Sequence, residues 1–274
     1  IKSLLADPQL EPEFVAQIIT LPAEQTLAQT IATNVDVDAI HEARDNLKAS
    51  LADTLWDEFR SAYDRFEMGG PYSPDAESAG RRTLRNVCLS YLVAADAPEG
   101  RALAVQQFKT ANNMTDQIAA LGLLVDHDGS ERDEALKAFH DRWADDHIVI
   151  DKWFALQATS TRPEALNDIK RLTSHATFSM SNPNKVRALI GSFASANQVR
   201  FHAADGAGYA YISDKVLELD KINPQVAARM LGAFRSWRQF DAGRQSLIRD
   251  ALQKVVNTPG ISQDVYEIAT KSLG

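Results

Sequence analysis

Apolar side chains recur along this chain with a helical period. Between Asp45 and Met68 the residues Leu47, Leu51, Leu55, Phe59 and Tyr63 fall at every fourth position, and Ala52, Ala62 and Phe66 widen the stripe. That spacing lays one apolar face along a helix. Gly69, Gly70 and Pro71 end it. A second helix is predicted to start at Ser73-Pro74-Asp75, which offers a hydroxyl cap, a proline at the first helical position and an acid in the first turn. Its stripe runs from Leu84 to Leu92. Further helices are predicted over about 99–110, 115–125, 131–144, 147–158 and 163–173, and no segment reads as a strand.

The last third contains an internal repeat. The run from Asn182 to Phe193, Asn-Pro-Asn-Lys-Val-Arg-Ala-Leu-Ile-Gly-Ser-Phe, aligns without a gap on Asn223 to Phe234, Asn-Pro-Gln-Val-Ala-Ala-Arg-Met-Leu-Gly-Ala-Phe, at an offset of 41 residues. In each copy the asparagine is expected to cap a helix, the proline to take its first position, and the glycine before Phe to let another backbone approach. The offset falls within the roughly 40–47 residues of HEAT and armadillo helix pairs. The expected fold is therefore all-α: antiparallel helix pairs stacked into a superhelical, HEAT/armadillo-like α-solenoid, with residues 1–274 as a single helical domain. The stretch from Gln198 to Tyr211 breaks the pattern with two glycines, three aromatics, Arg200 and His202. It reads as an ordered loop, either functional or pinned between repeats by Phe201 and Tyr209.

Composition narrows the class. The 274 residues are 45% hydrophobic and 24% charged, as in globular proteins. The longest apolar run, Ile118 to Val125, is far short of the roughly 20 residues that span a bilayer, so no membrane partner is expected. The first residues carry no secretory pattern, and because the chain starts at Ile1 it is expected to be a fragment or processed product of a longer polypeptide. A single cysteine, Cys88, precludes an internal disulfide and a thiolate metal cluster. A reducing, cytoplasmic setting is the simplest expectation. Cys88 itself lies on an apolar stripe and reads as core.

Catalytic motifs are missing from the sequence. His41-Glu42 would need a second histidine at position 45 to form a zinc-peptidase helix, and that position is Asp45. The other histidines, His127, His140, His147, His175 and His202, have no helical partner, and no serine elbow or phosphate-binding glycine loop is present. Charge is more informative. The net −8 divides into −13 for residues 1–150, with 13 basic and 26 acidic residues, and +5 for residues 151–274, with 16 basic and 11 acidic. The basic part is expected to meet an anionic ligand or the acidic surface of another domain. Arg187 and Arg229 stand one or two turns inside the repeated helix starts, on similar ends of neighbouring pairs, where a guanidinium fork suits a carboxylate. Solvated or salt-bridged surface arginine is the other reading. Nucleic acid is not an expected partner, since the basic residues are not interleaved with a stacking platform.

Several longer stretches carry a resemblance: Thr83 to Leu89, Ala111 to Asp116, Asp151 to Ala158, Ser181 to Ala196, Phe201 to Tyr209 and Asn223 to Arg229. Together they resemble the carboxy-terminal helical domain of the bacterial aminopeptidase N family, zinc-dependent aminopeptidases of the gluzincin type, along nearly the whole chain. The resemblance implies a cap that closes over a catalytic domain of the same polypeptide, encloses the active-site chamber and limits substrates to peptides. It implies that the zinc and its ligands lie in a preceding thermolysin-like domain, with no catalytic residue, metal ligand or cofactor in this fragment. It also implies that the matching arginines, Arg229 and Arg187, reach the carboxylate end of a bound peptide. An α-solenoid module that holds a protein partner on its concave face remains the alternative.

Overall fold

The computed structural model describes residues 1–95 and 97–274. Helix follows helix throughout, and the β-type pairing among the described residues is an isolated bridge between Val35 and Phe240. The all-α expectation therefore holds. No helix among these residues is long and apolar enough to cross a membrane. The chain forms two compact units: Ile1–Ala23 with Glu42–Phe139, and Glu24–His41 with His140–Gly274.

In the first unit the long predicted helix is interrupted. The helix Val37–Thr54, whose first residues belong to the other unit, stops before Leu55, and a new helix runs over Trp56–Arg65. Leu55 sits at φ −118° and ψ 28°, outside helical geometry. The stripe is correspondingly divided, since Phe59 and Tyr63 are buried whereas Leu47 is half exposed. The next helix, Ala76–Ala94, is capped by Asp75 and not by Ser73. The Asp75 carboxylate accepts from the Ser78 backbone N–H at 2.8 Å and from the Ser73 hydroxyl, and these bonds hold its pKa well below the usual carboxylate range. The sequence offered two capping side chains, and the ionised one took the stronger bond.

Ala76–Ala94 is the centre of this unit. It packs on Pro12–Ile19, on Trp56–Arg65 and on Pro98–Thr110. Phe59 and Tyr91 stack with ring centroids 4.4 Å apart, and the Tyr91 hydroxyl donates to the Ile19 carbonyl at 2.5 Å. Cys88 is fully buried, and burial pushes its thiol up to about 12, so it is an inert part of the core. Two of the stretches that carry the family resemblance meet here in a polar network. Asn86 Nδ2 and Asn113 Nδ2 donate to the two Asp116 carboxylate oxygens at 2.9 and 2.8 Å, and Gln107 Nε2 donates to Asn86 Oδ1 at 2.7 Å. Gln107 and Asp116 are buried, Asn86 and Asn113 are partly so, and their mutual hydrogen bonds fix how Met114–Val125 packs against its neighbours.

The second unit contains the repeat. Asn182 accepts from the Asn184 and Lys185 N–H groups, Asn223 accepts from the Val226 N–H, and each proline stands in the first turn as expected. The two copies then diverge. The first passes from Pro183–Val186 into a π-helical turn at Arg187–Gly191 and resumes as Ser192–Ala196, while the second runs over Pro224–Met230 and tightens to a 3₁₀ turn at Leu231–Phe234. The repeated phenylalanines converge, with Phe193 and Phe234 packing on Phe201 at centroid distances of 5.9 and 5.7 Å.

The repeated glycines do not have the expected role. A Cβ at Gly232 would meet nothing within 4 Å, and one at Gly191 would meet only atoms of Arg187 and Val186 in its own helix, the nearest at 3.6 Å. Close approach occurs instead at Gly208, where a Cβ would lie 2.3 Å from the Phe201 carbonyl oxygen. The supposed loop from 198 to 211 is mostly helical, comprising Gln198–Phe201 and the start of Ala207–Asp220. Gly208 is what lets these two helices pack so tightly, and Phe201 and Tyr209 pin them edge to face at 5.3 Å. Replacing Gly208 by Ala is therefore expected to destabilise the chain by about 2 kcal/mol or more. Gly232→Ala should stay within about 0.5 kcal/mol of wild type. Urea unfolding followed by circular dichroism measures both, and equal effects would contradict the packing described.

Candidate functional site

Both repeat copies border a cavity of about 390 Å³ in the second unit. Arg187 and Arg229 both line it and are exposed. Within the repeat they are one position out of register, Arg187 aligning with Ala228. The two copies thus present different helix faces to the same cavity. Arg187 donates from Nη1 to the Asn184 side chain at 3.1 Å. Among the described residues neither arginine pairs with a carboxylate, and nothing accepts a hydrogen bond from the Arg229 guanidinium. No Asp or Glu lines the cavity. Two uncompensated positive charges on a shared concave surface favour an anionic ligand.

The remaining lining has two characters. Val186, Val226, Met230 and Phe240 supply apolar surface, whereas Gln25, Gln29, Ser192, Ser195 and Ser236 are polar. Gly191 and Gly232 also line it, and the absence of a side chain at each keeps that part of the wall open. The π-helical turn shapes this wall, since the Ser192 hydroxyl reaches the Arg187 carbonyl at 3.3 Å and the Ser195 hydroxyl the Gly191 carbonyl at 2.8 Å. Such a turn bulges one residue outward and recurs at functional sites.

One side of the cavity rests on a buried polar cluster with a different electrostatic role, whose His202 is part of the lining. His202, only 6% exposed, lies 2.9 Å by Nδ1 from the Tyr209 hydroxyl. Burial, with a smaller contribution from the Arg244 charge, pushes its pKa down to about 3, so the ring is neutral at physiological pH. Arg244 donates to the His202 carbonyl at 2.7 Å, to Asp241 at 2.8 Å and to Asp38 at 2.6 Å. Its charge is spent on two carboxylates, in contrast to Arg187 and Arg229. It therefore braces the wall and leaves the cavity's positive potential to the two rim arginines.

Comparison with known proteins fits this geometry. The family described as "Domain of unknown function (DUF3458_C) ARM repeats" matches residues 1–274. The chain belongs to this ARM-repeat family. It is 40% identical over 270 residues to aminopeptidase N of Caulobacter vibrioides and 38% identical over 272 residues to aminopeptidase N of Escherichia coli, covering 98% and 99% of this chain. It spans only 31% of the length of either relative. Among solved structures it is similar to Legionella pneumophila aminopeptidase A in complex with aspartic acid, with a TM-score of 0.92 and 33% identity, covering 99% of this chain and 33% of that one. The resemblance to the carboxy-terminal domain of aminopeptidase N, first seen in short motifs, extends along the whole chain.

Several features of this ARM-repeat site were not legible in the sequence. Gln25 and Gln29 come from the helix Glu24–Ile31, more than 150 residues from the repeat, and carry no motif. His202 read as an isolated histidine because its partners, Tyr209, Phe240 and Arg244, are assembled by packing. Its neutrality has a measurable consequence. A histidine that is neutral when folded but has an ordinary pKa of 6.5 when unfolded takes up a proton on unfolding between about pH 6.5 and 3. Stability should therefore fall with acid across that window, by up to about 1.4 kcal/mol per pH unit from this group alone. Urea unfolding at pH 7, 6 and 5 should give a shallower pH dependence for His202→Gln than for wild type. Identical slopes would contradict the assignment.

Proposed function

We propose that this chain works as one helical domain, the carboxy-terminal cap of a zinc-dependent aminopeptidase that removes amino-terminal residues from peptides. The cap encloses the active-site chamber and orients the peptide, and the catalytic domain of the same polypeptide is its partner. The observation that carries this reading is the meeting of Arg187 and Arg229, without carboxylate partners, on one cavity free of acidic lining. The domain-wide likeness to aminopeptidase N supports it, as does a structural relative solved with aspartic acid, a ligand rich in free carboxylates.

The donor chemistry of this chain does not fit the zinc centre such an enzyme needs. The His-Glu pair at 41–42 is followed by Asp45 where the second histidine would stand, and the group formed by Glu24, His41 and Asp45 supplies one histidine where that centre takes two. Zinc is thus assigned to residues outside this sequence, and no step of the chemistry is placed here. The chain's own contribution is binding. A guanidinium that grips the free carboxylate fixes the register of a short peptide, so that its other end is presented at a constant distance. Cleavage then depends on peptide length as well as on the residue removed.

This reading separates two kinds of substrate. In the intact polypeptide, Arg229→Ala should raise KM for di- and tripeptides by about 10-fold or more, the usual cost of losing a charge-assisted hydrogen bond. Hydrolysis of an aminoacyl arylamide, which has no carboxylate, should hardly change. Equal effects on the two substrates would contradict the carboxylate role.

A further inference from the structure

The first unit has a concave site of its own. A pocket of about 90 Å³ is bounded by the segment from Phe66 to Tyr72 and by residues of the helices Ala76–Ala94 and Pro98–Thr110 and the turn that follows them. Four charged side chains line it: Glu67, Arg82, Arg85 and Asp116. Three are accounted for. Arg85 pairs with Glu67 at 3.4 Å and donates to the Tyr63 carbonyl and to Gln107. Asp116 is held by the side-chain amides of Asn86 and Asn113.

Arg82 is the exception. It is 5% exposed, yet among the described residues no carboxylate, carbonyl or side-chain oxygen accepts a hydrogen bond from it. One face of its guanidinium lies over the Tyr72 ring, 4.8 Å from the centroid. Stacking leaves the in-plane N–H donors of a guanidinium free, the arrangement that suits bidentate capture of a planar anion. None of the Arg82 nitrogens is sealed away from the pocket, so their donors are open to an anion there. The four charges sum to zero, but Glu67 is matched by Arg85 and Asp116 by neutral amide donors, which leaves the Arg82 guanidinium without an opposing group.

We propose that this pocket is a carboxylate-binding site whose ligand is held by the Arg82 guanidinium, with the Tyr72 ring orienting the fork. The carboxylate comes either from a small free acid or from an Asp or Glu side chain elsewhere in the intact polypeptide. The site is independent of the peptide reading for Arg187 and Arg229, and its test does not use activity.

Acetate serves as the probe, added to the intact polypeptide in place of chloride at constant ionic strength. A free-acid site predicts a thermal midpoint raised by about 2 °C or more in wild type, with the rise reduced in Arg82→Lys and abolished in Arg82→Gln. A structure of the wild-type intact polypeptide provides the second readout and does not depend on either variant folding. No acetate effect, together with an Asp or Glu side chain from outside the pocket within hydrogen-bond distance of Arg82, would support the second source. The proposal is overturned if acetate raises the midpoint of Arg82→Gln as much as that of wild type. It is equally overturned if acetate has no effect and the guanidinium meets only water or Glu67 in that structure.

Discussion

The cavity of the second unit depends on how a group of rings packs behind it. Phe201 stands at the centre, in edge-to-face or tilted contact with Phe193, His202, Tyr209 and Phe234, and His202 continues the cluster to Phe240 at 4.1 Å. Phe193 and Phe234 belong to the two repeat copies, so this cluster ties one Asn-Pro segment to the other. Close packing transmits position. With the rings fixed, the helices bearing Arg187 and Arg229 cannot move apart without opening voids among buried aromatics, each contact worth about 0.5–1.5 kcal/mol beyond burial. Gly208 is the condition for this arrangement, because a side chain there would collide with the backbone of Phe201.

Charge is divided between structural and available arginines by the same packing. Arg244 is 7% exposed and shares its donors among two carboxylates and a carbonyl. Lys185 is likewise buried, and it pairs with Asp151 at 2.8 Å. Arg187 and Arg229 lie at the surface of the cavity without such partners. Such pairs already cancel in the net +5 of residues 151–274, and at the cavity the unpaired charge rests on these two side chains.

What the sequence made legible follows from the range of the interactions involved. Helix periodicity, the Asn-Pro starts and the repeat are local patterns, and the helices from Pro98 to Leu172 lie within two residues of their predicted bounds. The break at Leu55 and the choice of Asp75 over Ser73 as cap were missed, because in each case two local options were close and packing or hydrogen bonding chose between them. The glycines before Phe193 and Phe234 looked like points of close approach, yet they open a cavity wall. Gly208, inside a presumed loop, makes the close contact instead. Arg187 and Arg229 were found through repeat position and family resemblance. The long-range partners of the site, Gln25, Gln29, His202 and Arg244, have no pattern along the chain that marks them.

The central claim is that the two rim arginines receive the carboxylate end of a peptide. It is tested most directly by a structure of the intact polypeptide with a non-hydrolysable tripeptide bound. The account predicts a terminal carboxylate oxygen within about 3 Å of the Arg229 or Arg187 guanidinium, inside the cavity described here. A peptide bound at the catalytic centre whose carboxylate points away from both arginines would contradict it.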